Sequence, residues 1–130
     1  VNDFDEMQRW IDNIRRIAKL PRLCAQPVAD VVEQELSRTM GAGQAPDGTP
    51  HIPRQSDGAA PLTGAAAAMR VTAVGSQVIV LIRGPEALHH LQRARGGIER
   101  RLIPIGRLPS NLARLVAAAC AKQFAETVNA

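Results

Sequence analysis

Few side chains in this sequence have the type and spacing to do chemistry. His89 and His90 are adjacent. On a helix, neighbouring side chains diverge by about 100°, so such a pair does not converge on one ion. No carboxylate or Cys stands beside them at a spacing such as HExxH or CxxC, and no metal site is expected. The two cysteines, Cys24 and Cys120, both fall in apolar helical stripes. They read as reduced, buried small hydrophobes. Ser37, Ser56, Ser76 and Ser110 belong to no nucleophile-elbow motif. Asp47 and Asp57 are a candidate carboxylate pair, but they share a Gly/Pro-rich stretch, and catalysis needs rigid support. Gly-rich pieces such as GAG and RARGG match neither GxxxxGK(S/T) nor GxGxxG, so no nucleotide cofactor is implied. The expectation is a protein that is not an enzyme and carries no cofactor.

The basic residues are more informative. Arg93, Arg95, Arg100, Arg101 and Arg107 fall within fifteen residues, opposed only by Glu99. Residues 1–40 carry six basic and seven acidic groups, whereas residues 51–130 carry ten basic and four acidic ones. Fourteen of the sixteen basic residues are Arg, whose fork matches carboxylate and phosphate. This half reads either as a solvated, ion-paired surface or as one facing a polyanion or an acidic protein. With one Trp, two Phe and no Tyr, there is little to stack on bases. No recognition helix is evident either, so any DNA contact would be backbone electrostatics.

The elements that must position these residues follow from periodicity. A length of 130 residues suits one domain, 1–130. No apolar run reaches the roughly 18 residues a membrane span needs, so no membrane role is expected. The start VNDFDEMQRW is polar and acidic, unlike a signal peptide. Asn2 or Asp3 can cap a helix whose stripe is Phe4, Met7, Ile11, Ile14 and Ile17, bordered by Trp10. Pro21 predicts a break or kink. A second helix holds Cys24, Val28, Val31, Val32 and Leu36, with Gly41 as its stop.

Residues 41–64 hold five Gly and four Pro, and neither helix nor sheet should propagate there. A short helical turn or extended piece is expected from Thr63. VTAVGSQVIVLIRG then reads as a hairpin, with Val71–Val74 as one arm, Gly75-Ser76 as the turn and Gln77–Arg83 as the other. The run VIVLI is continuously apolar, which predicts a strand covered on both faces. A short helix runs from Pro85 towards Gly96-Gly97, IERRLIPIG is a third candidate strand, and a last helix starts at Pro109 or Ser110. Leu112, Leu115, Val116, Ala119, Cys120 and Phe124 make its buried stripe. The order predicts an α+β fold, with the N-terminal helices and a C-terminal helix packed on a small antiparallel sheet and a long Gly/Pro-rich loop.

In this order the segments PDGTPHIPR, Leu62-Thr63-Gly64, QVIVLIRG, HHLQRARGG and RRLIPIGRLP span roughly residues 40–112. Together they resemble the tail-completion, or head–tail joining, proteins of the bacteriophage neck. The chain departs from that pattern where the family often has an aromatic after PDG, here His51, and an Arg-Pro-Phe near the last strand. The resemblance implies a structural virion protein, made in the host cytoplasm and located at the head–tail interface. It implies a homo-oligomeric ring, of six subunits or of twelve, that joins the head connector to the tail and lets double-stranded DNA pass. Its neighbours would be connector or stopper proteins and a tail terminator or tail tube.

On this reading the loop 41–64 orders against another subunit or ring, through Pro46, Asp47, Gly48, Pro50, His51, Pro53 and Arg54. Arg93, Arg95, Arg100, Arg101 and Arg107 would face either DNA in the lumen or an acidic partner. Two alternatives remain open at this point. One is a tail terminator ring capping the tail tube. The other is a small cytoplasmic DNA-binding module.

Overall fold

A computed structural model describes residues 3–53, 62, 64–84 and 100–129 of the chain. Helix α1 covers Asp3–Ala18 and helix α2 covers Leu20–Gly41. Only Lys19 separates them, and Pro21 occupies the first turn of α2, where its missing amide costs nothing. The break foreseen at Pro21 is therefore present. Pro27 lies inside α2 and the helix continues through it.

The end of α2 shows how the loop begins. Gly41 is still helical, and the stop comes two residues later at Gly43, with φ +70°. Its amide donates to the Met40 carbonyl at 3.1 Å, and the Gln44 amide donates back to Thr39 at 2.8 Å. This pair of bonds is a Schellman motif, which needs a left-handed residue and so a glycine.

After Leu62, Ala65–Ala68 forms one 3-10 turn and leads into a hairpin of β1, Met69–Val74, and β2, Gln77–Ile82. The strands pair antiparallel from Met69 opposite Ile82 to Val74 opposite Gln77, around the expected Gly75-Ser76 turn. Helix α3, Ser110–Val128, completes the described elements. The fold is α+β, with helices packed on a small antiparallel sheet. No described helix is long and apolar enough to cross a membrane.

Helix α2 is the hub, packing on α3 and on both strands. Its buried line of Ala25, Ala29, Val32, Leu36 and Met40 advances by three or four residues. Val32, Leu36 and Met40 meet Ala65, Met69, Leu102 and Leu112 in the core. Val71, Val80 and Ile82 close the sheet side.

Four expectations are corrected. Most of the α1 stripe is not buried; Phe4, Met7, Ile14 and Ile17 are exposed, as is the bordering Trp10, and Ile11 is half-buried. Strand β2 is covered on one face only, since exposure alternates along it and Ile79 and Leu81 point outward. Phe124 of α3 is exposed, and Cys24 and Cys120 are half-buried rather than buried. Finally, Arg100–Pro109 is irregular rather than a strand. Pro104 cannot donate to a ladder, and the Arg101 carbonyl takes its hydrogen bond from a side chain instead. The helix expected from Pro85, with its His pair, lies outside the described residues.

Candidate interaction site

The first half of the Gly/Pro-rich stretch has a structure of its own. The Gly48 amide donates to the Ala45 carbonyl at 2.9 Å, and the Ala45 amide donates to Thr49 at 2.7 Å. These bonds enclose Pro46-Asp47-Gly48 in a three-residue hairpin loop with Gly48 at φ +91°. Pro46 supplies the fixed φ, and the Asp47 carboxylate accepts the Thr49 amide at 2.9 Å. That hydrogen bond is the main reason the Asp47 carboxyl is held below its usual range, with the Thr49 side chain second. The hairpin continues to a bridge between Gln44 and Pro50 and to a bond from the His51 amide to the Gly43 carbonyl. Residues 41–53 thus make ordered contacts within the subunit.

Three side chains fasten this hairpin to the rest of the fold. His51 is buried, and its Nε2 donates to the Arg101 carbonyl at 2.7 Å. Arg100 is buried as well; its Nε donates to the Ile52 carbonyl at 3.0 Å and its Nη2 to the Pro53 carbonyl at 3.5 Å. From the first turn of α3, Asn111 donates to the Pro46 carbonyl at 2.9 Å and to the Glu35 carboxylate at 3.1 Å. Arg38 holds Glu35 from the other side, and its hydrogen bonds are the first cause of the lowered Glu35 pKa.

The product is an open groove of about 270 Å³ between the hairpin and the segment before α3. Pro46 and Asp47 form one wall; Arg101, Ile103, Ile105 and Arg107 form the other. One carboxylate and two guanidinium groups therefore share a rim around apolar surface. Such an arrangement suits recognition of a mixed polar and apolar protein segment by ion pairs and burial.

Two sets of residues that were separate in the sequence meet here, the loop set and the Arg set. Asp47, Pro50 and Pro53 are exposed, Gly48 is half-buried and Pro46 is buried. Arg107 is exposed and Arg101 half-buried, whereas Arg100 is spent on the loop carbonyls. Arg100 is thus corrected from a surface contact to an internal tie. Arg54, Arg93 and Arg95 lie outside the described residues.

No protein-family model, curated protein or solved structure matches this chain. The reading of its surfaces rests on its own residues.

Sequence reasoning missed Asn111 and Ile105. An Asn just inside a helix that follows a Pro is a usable signal for the first. Nothing in the pattern marks Ile105, which is 59% exposed. The periodicity did mark the α1 stripe, without saying what would cover it. Phe4 is 69% exposed and Trp10 66%. A second apolar face lies on the outside of the hairpin, where Ile79 stands opposite Thr72 and Leu81 opposite Arg70.

Proposed function

We propose that this protein is a structural, ring-forming subunit of the neck of a tailed bacteriophage. In that role it joins the head connector to the tail around a passage for double-stranded DNA, and it does no enzymatic chemistry. The observation that carries the assembly role is the exposed apolar stripe of α1. An amphipathic helix normally turns such a stripe into the core. A contiguous apolar face left outside marks an interaction surface.

The geometry favours a ring over a two-fold dimer. The apolar faces of α1 and of the outer hairpin are different surfaces, and the first turn of α1 is acidic where the hairpin is basic. Asp3, Asp5 and Glu6 stand in the first turn of α1, while Arg70 and Arg83 lie on and beside the sheet. A contact between unlike patches is heterologous, and repeating it closes a ring when the rotation permits. The order of motifs from PDGTPHIPR to RRLIPIGRLP supports the neck within the class of ring proteins. The groove beside Asp47 and Arg107 is then suited to the adjoining connector or tail protein.

The deciding experiment combines native mass spectrometry of the purified chain with imaging of assembled particles. A hexameric or dodecameric ring at the head–tail junction is the expected result. A protein absent from particles that binds duplex DNA steeply with falling salt would sink this reading.

A further inference from the structure

The two cysteines were expected to be inert packing groups, and their surroundings say otherwise. Cys24 lies in the second turn of α2, and Cys120 lies midway along α3. These helices pack directly on one another, and both cysteines face the same groove between them. Both residues are half-buried and free. They line one open apolar groove of about 450 Å³ with Leu20, Pro21, Ala121 and Phe124. Small molecules can therefore reach the sulfurs, which a closed core would prevent.

We propose that Cys24 and Cys120 are a reversible dithiol–disulfide pair, oxidised by a low-molecular-weight disulfide and clasping α2 to α3. In the first step the thiolate of one cysteine attacks a sulfur of the small disulfide. A mixed disulfide forms, and one small thiolate leaves. In the second step the other cysteine loses its proton and attacks the protein sulfur of that mixed disulfide. The intramolecular S–S bond forms, and the second small thiolate leaves. Two protein thiols have been oxidised, one external disulfide has been reduced, and the two protons go to the departing thiolates. A disulfide sulfur pair stands about 2.05 Å apart, so the closing step is the approach of two side chains that line one groove on packed helices.

Burial, with the neighbouring Cys120 second, raises the pKa of the Cys24 thiol. Exchange therefore speeds up as pH rises and more of the thiol ionises. The clasp would sit beside the Lys19–Pro21 break. It would anchor the root of α1 while leaving α1 outside the closed loop.

The test uses the full chain, first reduced and then incubated with excess oxidised glutathione. The expected product is a monomer lighter by two hydrogens, with no titratable thiol and a Cys24–Cys120 peptide in the digest. Its Tm should rise by about 10 °C and return on treatment with a dithiol reductant. Cys120→Ser should take up one glutathione on Cys24 and show no such rise. Glutathione stably attached to both cysteines, a disulfide-linked dimer, or two thiols unchanged by the treatment would each overturn the proposal. The wild-type mass alone decides among these, so the result does not depend on the serine variant folding. It is also independent of ring assembly, because it is read on the single subunit.

Discussion

His51 holds Arg101 across fifty residues of chain, its Nε2 2.7 Å from the Arg101 carbonyl oxygen. A carbonyl only accepts, so this nitrogen carries the proton. The other ring nitrogen, Nδ1, is buried and has no hydrogen-bond partner among the described residues. The bond takes the place of a strand partner for the Arg101 carbonyl. His51→Ala should remove that bond and cost about 1–3 kcal/mol in urea unfolding. A variant as stable as the parent would show that water takes over the bond.

Gly48 and Gly41 should respond in opposite directions. Gly48 stands at φ +91°, so Gly48→Ala forces a left-handed alanine and should cost about 1 kcal/mol. Gly41 is in the last turn of α2, with open space where a Cβ would go. Gly41→Ala should be neutral or stabilising by up to about 1 kcal/mol. Thermal melts of the two variants check the pair.

Glu35 and Asp47 predict loss of stability in acid. Both carboxyls are held below their ordinary pKa in the folded chain, Glu35 by Arg38 first and Asp47 by the Thr49 amide first. Their contributions are complete above the unfolded carboxyl pKa and fade as pH falls through the depressed folded values. Glu35→Gln should flatten the acid limb of the stability–pH curve and leave the neutral limb level. Asn111→Ala, which releases both Glu35 and Pro46, should cost about 1–2 kcal/mol at neutral pH. An acid limb unchanged by Glu35→Gln would contradict the assignment.

Arg100 and Arg107 separate structure from contact. Arg100→Ala removes a buried guanidinium bonded to the Ile52 and Pro53 carbonyls and should cost about 2 kcal/mol. Arg107 is exposed at the groove, and Arg107→Ala should stay within about 0.5 kcal/mol of the parent. Denaturant titrations of the two proteins should therefore diverge. On the proposed function, Arg107→Ala should instead weaken joining of heads to tails.

Phe4→Ser with Trp10→Ser should disturb assembly rather than folding. Both side chains are already in water in the subunit, so the denaturation midpoint should scarcely move. Ring formation, followed by native mass spectrometry, should fall at least tenfold. A double variant that assembles normally would free α1 from the interface.

Local grammar was readable from the residues themselves. The break at Pro21, the Gly75-Ser76 hairpin turn, the two strand arms and the α3 start all follow from short-range sterics, which act within a few neighbours. So does the α+β class, because the order of helical and strand periods limits how layers can stack. The helix stop was displaced from Gly41 to Gly43, since either glycine satisfies the composition and only the Thr39 and Met40 bonds choose between them.

The tertiary structure decided which face of each element is covered. Periodicity marks the stripe of α1 and the apolar run of β2, but it does not say what stands opposite them. In the fold α2 covers one side of the sheet, and α1 leaves Phe4, Met7, Ile14 and Ile17 exposed while Ile11 is half-buried. The candidate site depended on tertiary structure still more. Pro46 and Asn111 are 65 residues apart, and Arg100 and Ile52 are 48 apart. No local pattern encodes such pairs, because each bond forms only after the hairpin at Pro46-Asp47-Gly48 and the start of α3 have been brought together. For the same reason Arg100 and Arg107 look alike in the sequence, yet one is buried under the loop and the other faces the groove.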